Sequence, residues 1–137
     1  NLIYVKKNDP NKTLRKWISN NFVSNTFERG WSPPHPSFFV KKKLFSIYGN
    51  YNQAIGNSAD IELMYRLLEK NKIEAKYINK TFVKMRYGGK SNYSLNAIVK
   101  QNIEILKFLK INKNIIKILK FICFKLINRL MQFIKLT

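Results

Sequence analysis

Three closely spaced prolines, Pro33, Pro34 and Pro36, constrain this chain more than any other feature. Each fixes φ and removes a backbone donor, so Gly30-Trp31-Ser32-Pro33-Pro34-His35-Pro36 is stiff but unsuited to a helix interior or a central strand. The flanking segments must therefore meet across a rigid loop.

At 137 residues the chain amounts to one domain or a piece of a larger one. Hydrophobic residues make up 45% and aromatic residues 14%, enough for a core and too much for compositional disorder. The net charge of +19 opposes compaction and attracts polyanions, whether nucleic acid or an anionic bilayer. Lys, Asn and Ile are also abundant together, as AT-rich coding would produce. One cysteine, Cys123, excludes an internal disulfide and a Cys-based zinc cage; between Ile122 and Phe124 it reads as a small buried hydrophobe in a reducing compartment. Residues 1–7 lack the apolar core and small-residue cleavage site of a secretory signal.

Along the chain, Leu2-Ile3-Tyr4-Val5 predicts a strand ended by a turn at Lys6-Lys7-Asn8-Asp9-Pro10, with its sheet partners to be supplied from elsewhere. Leu14, Trp17, Ile18 and Phe22 recur at roughly helical spacing and predict a weakly amphipathic helix over 12–27. A buried strand is expected over 37–40, then a short helix over 41–48 stopped by Gly49. Ser58-Ala59-Asp60 opens the clearest helix, with Ile61, Met64, Leu67 and Leu68 on one stripe as far as about Lys72. Strands are expected over 75–78 and 81–86, the second broken by Gly88-Gly89, and helix from Ser94 onward with a break near 112–114.

Three places carry candidate chemistry. Asp60 at a helix start suits an N-cap, which the orphan N–H groups and the macrodipole both favour; the same carboxylate is a candidate general base. His35 is the only histidine, suited either to packing on Trp31 or to ligand contact, and weak as a metal signal without acidic neighbours. Met85-Arg86 and Gly88-Gly89-Lys90-Ser91-Asn92 combine an arginine, a hydroxyl and close-approach glycines suited to phosphate oxygens, or form a plain solvated turn. No P-loop or dinucleotide glycine fingerprint occurs.

The order of Gly-Trp-x-Pro-Pro-His-Pro, the Ala59-Asp60 helix start through Arg66, and Met-Arg-x-Gly-Gly-x-Ser-Asn resembles the acceptor-side half of family 2 glycosyltransferases that build bacterial surface polysaccharides. The resemblance spans about residues 2–113. It implies an α/β fold, the C-terminal part of a GT-A-like fold with few short strands plus helices. Residues 1–93 would be the acceptor-side part of the catalytic domain, with the nucleotide-binding half missing, and 94–137 a basic helical tail. By the same resemblance Asp60 is the base that takes the acceptor hydroxyl proton, while Trp31, Pro34 and His35 border the acceptor. Arg86, Gly89 and Ser91 would guard the donor diphosphate, and Arg66 would be a structural partner for a nearby acid. The family's Asp-x-Asp motif has no counterpart here, so no metal ligand is assigned in this chain; a divalent metal, Mg or Mn, is implied only for the full-length enzyme. The implied partners are a nucleotide-sugar donor and a glycan or lipid-linked acceptor, at the cytoplasmic face of the membrane. This chain alone is expected to be inactive.

The C-terminal stretch needs no resemblance. At 100° per residue, Lys113, Lys117, Lys120, Lys125, Asn128, Arg129 and Lys135 share one half of a helical wheel. Ile115, Leu119, Ile122, Leu126, Leu130 and Ile134 share the other, with Phe121, Phe124 and Met131 intruding on the polar side. Interrupted by charge, this helix should not cross a bilayer. It reads as an interfacial anchor over 113–135 on anionic lipid, or as a stripe packed on the rest of the domain. Nucleic acid suits the charge, but no recognition motif accompanies it. A non-enzymatic basic binding module is thus the competing function.

Overall fold

The computed structural model describes residues 1–88 and 94–134. It is a mixed α/β structure with a small three-stranded sheet, ordered β2-β1-β3, and four α-helices among the described residues. Strand β1 is Leu2–Lys6, β2 is Asp9–Trp17 and β3 is Val83–Arg86. Helix α1 spans Lys42–Tyr48, α2 Ala59–Tyr65 with a wide π turn continuing over Arg66–Lys70, α3 Leu95–Phe108 and α4 Ile115–Ile134.

Sheet pairing corrects two expectations. Residues 9–17 are strand, not the first turns of a helix, because β1 folds straight back through Lys7-Asn8 and takes β2 as an antiparallel partner. The weak helical periodicity of 12–27 loses to this pairing. Thr13 and Trp17 are good strand formers, and Arg15 between them is buried. Pro10 falls where the register jumps from Lys6↔Asp9 to Val5↔Thr13, an irregularity that spares it from having to donate to the ladder. Strand β1 does not lack partners either: β3 joins its other edge in parallel, with Leu2↔Val83 through Val5↔Arg86. It is the central strand, and Leu2 and Val5 are buried.

The expected strands over 37–40 and 75–78 do not form. Pro33, Pro34 and Pro36 supply no donors, and the Phe38 N–H turns back to the His35 carbonyl (3.1 Å), closing a 3-10 turn at His35–Ser37. Phe39 is then 75% exposed. Residues 75–78 find no strand to pair with; the Tyr77 hydroxyl instead donates to the Asn1 side-chain carbonyl (3.0 Å).

The helices follow their sequence signals more closely. Gly49, at φ 88°, stops α1 as expected. Ser94 caps α3 by accepting from the Ala97 N–H (3.1 Å), and residues 109–114 separate α3 from α4. Met64 and Leu68 on α2 and its π turn meet Ile105 and Leu106 of α3, Leu109 just past its end, Phe27 and Phe121 in the main core. From that core the Phe27, Tyr65 and Phe108 rings follow one another at 5.6 Å steps, the first pair edge-to-face and the second tilted. Burial raises the Tyr65 phenol pKa, with Glu28 and Glu69 adding to it.

Helix α4 is inverted. Phe121 enters the core, but Lys125 and Arg129 also turn toward the protein, while Ile115, Leu119, Leu126 and Leu130 are each more than half exposed. The apolar stripe is therefore not packed on the domain. Cys123 is exposed with it, against the expectation of burial. No helix among the described residues is long and apolar enough to cross a membrane.

Candidate functional site

The site is built where the proline loop meets the start of α2. The 3-10 turn at His35–Ser37 is held from within: the Pro34 carbonyl accepts both the Ser37 N–H (3.0 Å) and the Ser37 hydroxyl (3.1 Å). Pro34 itself is buried, which anchors the loop and leaves His35 at its outer edge. On the facing element Asp60 sits in the first turn of α2. His35 Nδ1 lies 2.9 Å from Asp60 Oδ2, so the imidazole donates to the carboxylate. Two residues 25 positions apart in sequence, each singled out beforehand, are thus in direct contact.

Asp60 is not the N-cap. Ser58 precedes the helix, and its hydroxyl is engaged elsewhere, with the Glu104 carboxylate (2.9 Å) and the Gln101 carbonyl (3.2 Å) of α3. Asp60 Oδ1 accepts the Ile61 N–H (2.8 Å). Each carboxylate oxygen carries two lone pairs, so Asp60 keeps capacity for a further donor. The Asp60 side chain is 24% exposed and that of His35 52%, which leaves the pair open to a ligand.

Arg66 has the structural role expected of it. It grips Glu62 through Nε (3.0 Å) and Nη2 (3.0 Å), and its remaining donors reach the Tyr48, Gly49 and Asn50 carbonyls at the end of α1. One guanidinium thereby ties two helices and takes Glu62 away from Asp60.

Other expected site residues separate. Trp31 is half-buried, its N–H bonded to the Thr26 carbonyl (3.0 Å). Arg86 is exposed at the end of β3. Gly89, Lys90 and Ser91 lie outside the described residues. A cleft of about 530 Å³ opens at the proline loop, lined by Pro33, Pro34, Phe38, Lys43 and Ile78 among others, but neither His35 nor Asp60 lines it. The pair thus lies outside the cleft, although Pro34, next to His35 in the chain, lines it. Among the described residues no group of three or more His, Cys, Asp or Glu stands ready for a metal ion.

Sequence reasoning missed a buried cationic seam between β2 and α4. Arg15 is 1% exposed; its guanidinium lies 4.3 Å from the Tyr4 ring centroid and 5.9 Å from that of Phe133, and Nε and Nη1 have no hydrogen-bond partner among the described residues. Burial, with Arg129 adding to it, lowers the Arg15 pKa. Lys125 donates to Asn102 Oδ1 (2.5 Å) beside the Phe121 ring, and burial with Arg129 pulls its pKa down to about 8. The signal available for this seam was Thr13-Leu14-Arg15-Lys16-Trp17 read with a period of two. Gly30 makes the approach of α4 possible, since a Cβ there would stand 2.7 Å from Lys125 Cβ and 2.9 Å from the Phe121 carbonyl oxygen.

Compared with known protein families, curated proteins and solved structures, this chain matches none.

Proposed function

We propose that this chain is the acceptor-side portion of a glycosyltransferase of the GT-A type, moving a sugar from a nucleotide-sugar to a hydroxyl acceptor in surface-polysaccharide synthesis at the cytoplasmic face of a membrane. The observation that carries this reading is the His35–Asp60 contact, which joins the proline-loop and Ala-Asp elements of the resemblance in one open surface pair. In this reading Asp60 takes the proton from the acceptor hydroxyl. The freed oxygen attacks the anomeric carbon, and the bond to the nucleotide diphosphate breaks with the electron pair leaving on the diphosphate. His35 is a positioning residue: by occupying one Oδ2 lone pair it sets the direction from which the hydroxyl approaches. Pro34 holds that loop in place. The nucleotide-binding half and any divalent metal belong to residues outside this sequence.

The test uses protein that carries the nucleotide-binding half as well. Asp60→Asn should lower sugar transfer at least about a hundredfold, the scale of losing a general base, with an unchanged circular dichroism spectrum. His35→Ala should have a smaller effect and shift the pH profile. Full transfer by Asp60→Asn would remove the reading, and transfer by the 137-residue chain alone would remove the claim that it is one portion of the enzyme.

A further inference from the structure

Helix α4 buries the wrong side for a helix whose only task is to complete a core. Lys125 and Gln132 turn toward the protein, whereas Ile115, Ile116, Leu119, Leu126, Ile127 and Leu130 are between 53% and 66% exposed. On the helical wheel these residues, with Ile122, Cys123 and Met131, span an outward sector of roughly 180°, interrupted only by Lys120 near one edge. Over 20 residues the helix is about 30 Å long. Scattered exposed leucines are ordinary; a continuous apolar face along a whole helix marks an interaction surface.

Charge selects the occupant. From Ile105 to the end of the sequence there is no Asp or Glu. Among the described residues, exposed Lys120 stands near one edge of the outward face and exposed Lys117 beside it, and exposed Lys110 and Lys113 lie in the turn that leads into the helix. A second copy of the chain would bring another +19 against this surface, so self-association through it is opposed. An anionic bilayer offers both halves of the match: acyl chains for the apolar sector and lipid headgroups for the bordering lysines.

We propose that α4 lies in the plane of an anionic membrane, with its Leu- and Ile-rich face in the headgroup–acyl boundary and the rest of the protein seated on its cationic inner face. A free amphipathic peptide turns its polar side to water. Here the inner side is occupied by Gly30, Asn102 and Arg15's ring stack, so the outward face is presented before lipid is met. The proposal is independent of the transferase reading, because it uses neither Asp60 nor His35.

Cys123 is the only cysteine and lies in the outward sector, which allows a direct test on the full chain. Labelled there with an environment-sensitive fluorophore, the protein should show a blue shift on phosphatidylglycerol–phosphatidylcholine vesicles, quenched by acyl-chain bromination. Apparent affinity should be at least about tenfold weaker on pure phosphatidylcholine, the scale set by a few lysines near a charged surface. Flotation of unlabelled protein with the same vesicles should agree. The double substitution Leu126→Glu with Leu130→Glu should abolish flotation while leaving the circular dichroism spectrum unchanged. An unshifted fluorophore with anionic vesicles would overturn the proposal, as would equal binding to neutral ones. A blue shift without vesicles that grows with protein concentration would assign the face to a second copy. Binding to an RNA oligonucleotide with no response to vesicles would make charge alone the recognised feature, and would overturn it too.

Discussion

Helices α2 and α4 are both amphipathic, yet they face opposite ways. Helix α2 buries Leu63, Met64, Leu67 and Leu68 and turns Asp60 to the surface against His35. Helix α4 buries Phe121, holds Lys125 against Asn102 and leaves its leucines in solvent. Periodicity thus says that a helix has two faces; which one points inward depends on what its neighbours offer. For α2 the neighbour is α3, whose Ile105 and Leu106 complete the core. For α4 the neighbours are the Gly30 backbone, which admits the helix closely, the Arg15 stack, and Asn102, which accepts from Lys125 while burial and Arg129 oppose that charge.

Substitutions sharpen the contrast. Met64→Asp places an unpaired charge in the core and should cost more than about 4 kcal/mol, enough to unfold the domain in urea titration. The same kind of change on the outward face, Leu126→Glu, should fall within about 0.5 kcal/mol; a large loss there would mean that the face is covered within the domain. Between these extremes, Arg66→Ala leaves Glu62 without its partner and frees three carbonyls, for about 3 kcal/mol by the same titration. Gly30→Ala should cost about 2 kcal/mol, combining φ of 65° with the contact on α4. Its loss should appear as faster hydrogen exchange in α4 than in α2.

A subtler difference concerns pH. Lys125 has its pKa lowered from 10.5 to about 8, by burial first and by Arg129 second. Between about pH 8 and 10.5 the unfolded chain holds a proton that the folded one has released, so stability should rise with pH across that window; below it, the buried charge weakens α4 packing. Lys125→Met should flatten this rise in thermal melts.

Much of the architecture was readable from the residues. The Gly49 stop, the onset of helix at about Ser94, the apolar stripe of α2 and the gap before α4 are local signals, and each took effect locally. What was not readable depended on distant partners. Residues 12–17 became strand because β1 was beside them, and 75–78 stayed irregular because no free edge was. Among candidate site residues, Asp60 and His35 meet, while the contact itself was invisible because nothing in either segment specifies the other. Arg15 was hidden by its charge: a lone arginine in a basic stretch reads as solvated until rings from β1 and α4 are placed over it.

The parallel pairing of β1 with β3 has a consequence for how the chain is made. Leu2 leaves the ribosome well before Val83, its partner in the ladder. The β1–β2 hairpin can close as soon as Trp17 emerges, but its other edge then waits while both α1 and α2 are synthesised. During that interval Leu2-Ile3-Tyr4-Val5 presents an open apolar edge, the kind that recruits other strands. Folding should therefore be paced by this long loop closure, and vulnerability to aggregation should be greatest in nascent chains that end just short of Val83.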